Sequence, residues 1–244
     1  MDYVAPATLE DAYRALEMDE ARCLAGGQSL VAMMNLGLVS PARLVSLRRI
    51  EALRGIRAQP DGSLRIGAMT THAELAELNH ASASASLLAQ AARVVAYPAV
   101  RAWGTIGGAV AHADPAADYP VVLLASEATI EIGSAAGTRR VAARDFFRGL
   151  FETALRKGEI VTAVHLPAGQ PGARTHYEKL SLVVGDFAIL SVASIGKRVA
   201  VGGYASKPLL LEEIERTQAA SDNRASAAYR RRVLPELVRR CTSH

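Results

Sequence analysis

Residues 22–47 read RCLAGGQSLVAMMNLGLVSPARLVSL, and the order of chemistry in them decides the fold. A short strand-like run ends at a glycine pair, Ser29 opens an apolar segment of helical length, and after Pro41 the run RLVSL has strand character again. The spacing predicts strand, loop, helix, strand, with glycines at the first turn. Neither GxGxxG nor GxxxxGKS/T occurs in the chain, so a Rossmann or P-loop fold is not expected.

Upstream, Thr8 precedes LEDAYRALE with Asp11 three positions on, an N-cap signal for a short helix. Downstream, GIRAQPDGSLRIGAM places two short strands around Asp61-Gly62 and predicts a hairpin. Thr71 and Glu74 form a capping box, and SLLAQAARVVA continues as a second helix. The stretch TIGGAVAHADPAADYP (105–120) follows, dense in turn residues. VVLLASEATIEIG passes from helix to strand, RRVAARDFFRGLFE reads as a loop and short helix, and EIVTAVHLP is a strand stopped by Pro167. QPGAR (170–174) is the candidate linker; beyond it THYEKLSL, DFAILSVASI and RVAVGGY alternate like strands, and the tail from about 211 is helical.

Half of the 244 residues are apolar and 21% are charged. No apolar run approaches the roughly 20 residues that cross a bilayer, and the early acids of MDYVAPATLEDAYRAL do not resemble a signal peptide, so a cytoplasmic protein without a membrane span is expected. Cys23 and Cys241 are too few for a disulfide framework or an iron–sulfur cluster. His112 and Asp114 lack a third ligand, so no metal is assigned. The net charge of +4 is concentrated in YRRRVLPELVRR, whose spacing fits an amphipathic helix with a solvated basic face; no nucleic-acid motif accompanies it, and no nucleic-acid partner is expected.

Diphosphates are commonly gripped by converging backbone N–H groups, which glycine lets approach closely. AGGQS (25–29) and TIGGA (105–109) both fit that need, although a Gly-Gly pair also makes an ordinary tight turn.

Taken in order, AGGQSLVAMMNLGLVSPARLVSL, RIGAMTTHAEL, RAWGTIGGAVAHADPAADYPVVLLA, HYEKL and GDFAILSVAS resemble the FAD-binding medium subunit of the molybdenum hydroxylases, the family of xanthine dehydrogenase and carbon monoxide dehydrogenase. The resemblance spans almost the whole chain. It implies an α+β fold: two α/β subdomains, 1–55 and 56–169, forming a PCMH-type (vanillyl-alcohol-oxidase-like) FAD-binding domain, then a small C-terminal α+β domain, 170–244. It implies a diphosphate clasp from Ala25, Gly26, Gly27, Gln28, Ser29 and Leu30 with Thr105, Ile106, Gly107, Gly108 and Ala109. Asp118 matches an acid near the adenosine end, Ile160 or Val161 an apolar residue against the flavin, and Lys179 a cation reaching the flavin region. No catalytic acid or base is implied, because flavin electron transfer needs positioning and electronic tuning.

The implied function is electron transfer within a heterotrimer, with a dimer of heterotrimers as the assembly. A large subunit carries the molybdopterin cofactor, a small subunit carries 2Fe-2S clusters, and FAD on this chain passes electrons to an external acceptor. Three departures stand out: Ala109 where many relatives have Asn, SLVV where Arg is common, and a shortened last lobe. They leave open a degenerate scaffold that binds no flavin, and a stand-alone flavin oxidoreductase is the other alternative.

Overall fold

The computed structural model describes residues 1–169 and 172–243; Gln170 and Pro171 of the expected linker lie outside the described residues. Strands β1 (Asp2–Val4), β2 (Ala21–Leu24) and β3 (Arg43–Ser46) form a parallel sheet in the order β1-β3-β2. Parallel neighbours require crossovers, which α1 (Leu9–Leu16) and α2 (Leu30–Asn35) provide. Thr8 caps α1 as its spacing predicts, accepting from the Asp11 amide at 3.1 Å. The three-residue strand β1 was not evident in the sequence, because only its pairing with β3, some forty residues away, defines it.

The second sheet is antiparallel, in the order β4-β5-β10-β6-β7. It comprises β4 (Ile56–Ala58), β5 (Leu64–Gly67), β6 (Thr129–Ser134), β7 (Gly137–Ala142) and β10 (Ile160–Leu166). The β4–β5 hairpin turns at Gly62, whose φ of +79° suits glycine. All seven residues of the central strand β10 are buried. The segment expected as loop and helix at RRVAARDFFRGLFE is instead mostly extended: β7, then α8 (Ala143–Phe146), then the hairpin of β8 (Phe147–Gly149) and β9 (Glu152–Thr153). Its arginines mask an edge strand. Arg139 and Arg140 pair with Glu159 and Glu131 on neighbouring segments of the fold, so β7 shows no apolar alternation.

Between β5 and β6 lie α3 (His72–Ala76), α4 (Ala83–Val94), α5 (Pro98–Arg101), α6 (Ile106–His112) and α7 (Asp118–Ala125). The capping box of α3 forms: Thr71 Oγ1 accepts from the Glu74 amide at 3.2 Å, and the Glu74 carboxylate accepts from the Thr71 amide at 2.7 Å. Every residue of α7 is buried.

The third sheet is an antiparallel meander of β11 (Thr175–Leu180), β12 (Leu190–Ile195), β13 (Arg198–Gly202) and β14 (Leu209–Leu210). A 3-10 turn at Leu211–Arg216 leads to α9 (Ala227–Thr242), which buries Leu234, Leu237 and Cys241. Arg230 departs from the expected solvated basic face. It is 1% exposed and donates to the carbonyls of Ile189 and Gly203 and to the Asp222 carboxylate. The lobe is tied to the segment before α7 by two backbone bonds, Ala188 N–H to Ala116 O at 3.1 Å and Gly203 N–H to Pro115 O at 2.9 Å. Among the described residues no helix is long and apolar enough to cross a membrane.

Candidate cofactor site

The loop after β2 and the loop before α6 meet backbone to backbone. A Cβ on Gly26 would stand 2.0 Å from the Trp103 carbonyl oxygen, and one on Gly108 would stand 3.6 Å from the Ala25 Cβ. Gly27 has φ +75°, which L side chains rarely adopt. Beside this contact lies a cleft of about 360 Å³ whose lining includes Ala25, Gly26, Gly27, Trp103 and Thr105, with Arg48 and Arg54.

The two loops differ in what they offer a ligand. The backbone N–H groups of Gly26, Gly27, Gln28, Ser29 and Leu30 donate to no described residue, so five consecutive donors remain open at the start of α2. Ser29, the residue preceding α2, makes no side-chain cap bond, so its hydroxyl is open too. Around TIGG the donors are used. Ile106 N–H donates to Thr70 O at 3.0 Å, Gly107 N–H to Ala68 O at 2.8 Å, Gly108 N–H to Thr105 Oγ1 at 3.2 Å, and Ala109 N–H to Thr105 O at 3.0 Å.

The open amides thus belong to the first loop, while those of Ile106 to Ala109 have partners within the protein. Gly107 and Gly108 occupy the first turn of α6 behind the Thr105 cap, not an open turn. The missing side chain of Gly107 makes room for Ala68, whose Cβ would be 2.4 Å from an added Cβ. What the second loop presents to the cleft is Thr105, whose hydroxyl accepts from Gly108 and keeps its own proton to donate.

The base of this loop is braced from inside. His72 N–H donates to Gly104 O at 2.9 Å, and His72 Nδ1 lies 2.9 Å from the Tyr119 hydroxyl on α7. Burial, assisted by the Arg101 charge, lowers the His72 pKa to about 4, so the ring is neutral at physiological pH.

Asp118 and Lys179 meet away from the cleft lining. Lys179 Nζ lies 3.0 Å from the Asp118 carboxylate and also donates to Val94 O at 3.3 Å, while the Tyr177 hydroxyl donates to Asp118 at 2.6 Å. Burial pushes the Asp118 carboxyl up, and the Lys179 charge and the Tyr177 hydrogen bond oppose that shift. Ile160 and Val161 sit in β10 opposite Gly133 and Ile132, almost wholly buried. The cleft lining takes in Ala25, Gly26, Gly27 and Thr105, while Gln28, Ser29, Leu30, Ile106, Gly107, Gly108, Ala109, Asp118, Lys179, Ile160 and Val161 lie outside it. Sequence reasoning missed Arg48 and Trp103. The available signals were the Arg pair directly after RLVSL and the chain's single Trp just ahead of TIGG. Among the described residues no group of three or more His, Cys, Asp or Glu could hold a metal ion.

The cleft between the two loops, with a glycine turn and open amides on one side and two arginines in its lining, offers donors and positive charge to an anionic ligand. Residues 1–169 match the model of the FAD binding domain in molybdopterin dehydrogenase, and the chain belongs to that family. It is 35% identical to the glyceraldehyde dehydrogenase medium chain of Sulfolobus acidocaldarius, covering 97% of this chain and 95% of the relative. It is 34% identical to the carbon monoxide dehydrogenase medium chain of Afipia carboxidovorans, covering 98% and 94%. Among solved structures, carbon monoxide dehydrogenase from Hydrogenophaga pseudoflava, lacking the Mo-pyranopterin moiety of its cofactor, superposes with TM-score 0.92 at 32% identity, covering 99% of this chain and 95% of that one. The fold is the α+β arrangement expected, and the protein is an FAD-binding oxidoreductase subunit. The open donors between Gly26 and Leu30 fit the oxyanions of that cofactor. The first alignment runs over 268 positions, more than the 244 residues present, so this chain carries gaps relative to that medium chain.

Proposed function

We propose that this chain is the electron-transfer flavoprotein of a heterotrimer that assembles as a dimer of heterotrimers in the cytoplasm. A large subunit holds a molybdenum–pterin centre and a small subunit holds 2Fe-2S clusters. The relatives named as medium chains of dehydrogenases support this reading. When bound, FAD supplies the redox chemistry, receiving electrons from the partner clusters and releasing them to an external acceptor.

The observation that carries the proposal is the run of five unpartnered N–H groups from Gly26 to Leu30, whose first two residues line the cleft with Thr105. These donors bind the diphosphate. Gly26 admits the Trp103 carbonyl of the facing loop, Gly27 supplies the positive φ of the turn, and Thr105 adds a hydroxyl from the facing loop. We assign the cofactor to segments 1–55 and 56–169, with 170–244 as the closing lobe that brings Lys179 to Asp118. Ile160, Val161 and Lys179 are assigned to the flavin end on the family resemblance, and Asp118, which that resemblance matches to the adenosine end, is the ion-pair partner of Lys179. Lys179, held by Asp118, sets a fixed cation there, while Ile160 and Val161 exclude water.

The test is the absorbance spectrum of the full chain, the flavin released on denaturation, and the subunits that co-purify. Flavin bands, released FAD, and co-purification with a molybdenum-containing large chain and an iron–sulfur small chain are expected. A colourless protein that releases no FAD would support the scaffold alternative instead, and reduction by a small substrate without partners would support a stand-alone oxidoreductase.

A further inference from the structure

Arg48 lies two residues beyond the end of β3, its side chain is exposed, and it has no carboxylate partner among the described residues. Its guanidinium carbon lies 4.3 Å from the ring centroid of Trp103, a stacking distance for a cation on an indole face. Trp103 is 52% exposed, although it is the chain's single tryptophan and its largest side chain. Both residues line the cleft that carries the Gly26–Gly27 backbone.

The charge in this cleft is one-sided. Its lining contains Arg48 and Arg54 and no Asp or Glu. Arg54 is partly answered, lying 3.6 Å from Glu51 and donating to Arg48 O at 2.6 Å. Arg48 has no such answer. Its position is also tied to the open amides, because the Trp103 carbonyl fills the space where a Gly26 side chain would be. The indole that carries the guanidinium is therefore part of the same backbone contact that shapes the glycine loop.

We propose that Arg48, held against Trp103, is the cationic contact for the diphosphate of the bound dinucleotide, with Trp103 as its positioning residue. The backbone donors of residues 26–30 supply neutral hydrogen bonds, and Arg48 supplies the charge they lack. A guanidinium offers a planar fork of donors suited to two phosphoryl oxygens, and stacking on an aromatic leaves that fork free at its edge. This inference rests on the cleft being the FAD site.

The experiment measures FAD release from the full chain as recovery of free-flavin fluorescence at increasing KCl, together with competition by ADP and by adenosine. In the unaltered chain FAD is held and ADP competes far better than adenosine. Arg48→Gln should weaken FAD and ADP about tenfold, flatten the salt dependence, and leave adenosine competition unchanged. Arg48→Lys should recover part of the salt dependence, and Trp103→Ala should weaken ADP while keeping it. Unaltered ADP competition and salt dependence in Arg48→Gln, with FAD still held, overturns this inference and leaves the functional reading intact. Absence of FAD from the unaltered chain overturns both.

Discussion

Lys179 of β11 and Asp118 of α7 form an ion pair at 3.0 Å with side chains only 8% and 6% exposed. Sixty-one positions separate them in sequence, and the pair joins the third sheet to the helix that follows the TIGG segment. Removing one member of a buried pair strands the other, which costs about 3–5 kcal/mol. Asp118→Asn and Lys179→Met should each destabilise on that scale, and the double variant should cost clearly less than their sum. Chemical denaturation of the four proteins measures the coupling; additive losses would show that the two charges act independently.

Gly27 and Gly107 separate a cofactor effect from a packing effect. At Gly27, φ +75° penalises alanine by about 1–2 kcal/mol and moves two of the open amides, so Gly27→Ala should lose flavin content at modest cost in stability. At Gly107 a Cβ meets Ala68, so Gly107→Ala should cost about 1–3 kcal/mol and lower Tm by several degrees. Flavin-to-protein ratio and thermal melting distinguish them, and full flavin retention in Gly27→Ala, or an unchanged melting point in Gly107→Ala, would contradict the assignment.

His72 sets an acid limit. Its folded pKa is lowered to about 4 by burial against about 6.5 unfolded, so between those values the unfolded chain binds a proton that the folded chain refuses. Stability should fall as pH drops from 6.5 to 4, by roughly 3 kcal/mol at most. His72→Gln should flatten that limb of the urea-midpoint profile, while Tyr119→Phe should keep it.

A second limb lies lower. Burial pushes Glu131 up, but hydrogen bonds involving His165, Arg65 and Thr162 outweigh it and hold the carboxyl at about 2. A depressed carboxylate contributes stability above its unfolded value near 4.5, and that contribution disappears as pH falls from there toward 2. Glu131→Gln should remove the loss in that window, read from the same denaturation series; an unchanged slope would sink the assignment.

Local signals were legible in the chain. The Thr8 and Thr71 caps, the turn at Gly62 and the strands flanking the first glycine loop all depend on neighbours within a few residues. Long-range effects were not. Strand β1 exists only through β3, β7 is hidden by arginines whose partners lie on other segments, and Arg230 is buried because two carbonyls and Asp222 await it. At the site, the glycine motifs marked the place, but a glycine that avoids Ala68 and one that adopts positive φ look alike in sequence. Arg48 and Trp103, fifty-five positions apart, could be joined only by the fold.

The bonds from Ala188 and Gly203 onto the 115–116 segment, with Lys179 beyond them on Asp118, anchor the carboxy-terminal lobe at three points within four residues of chain. Such an anchorage makes the lobe a strut and not a hinge. The outer helix α9 and the sheet it packs on are thereby positioned against the entry to α7 by contacts made within this one chain.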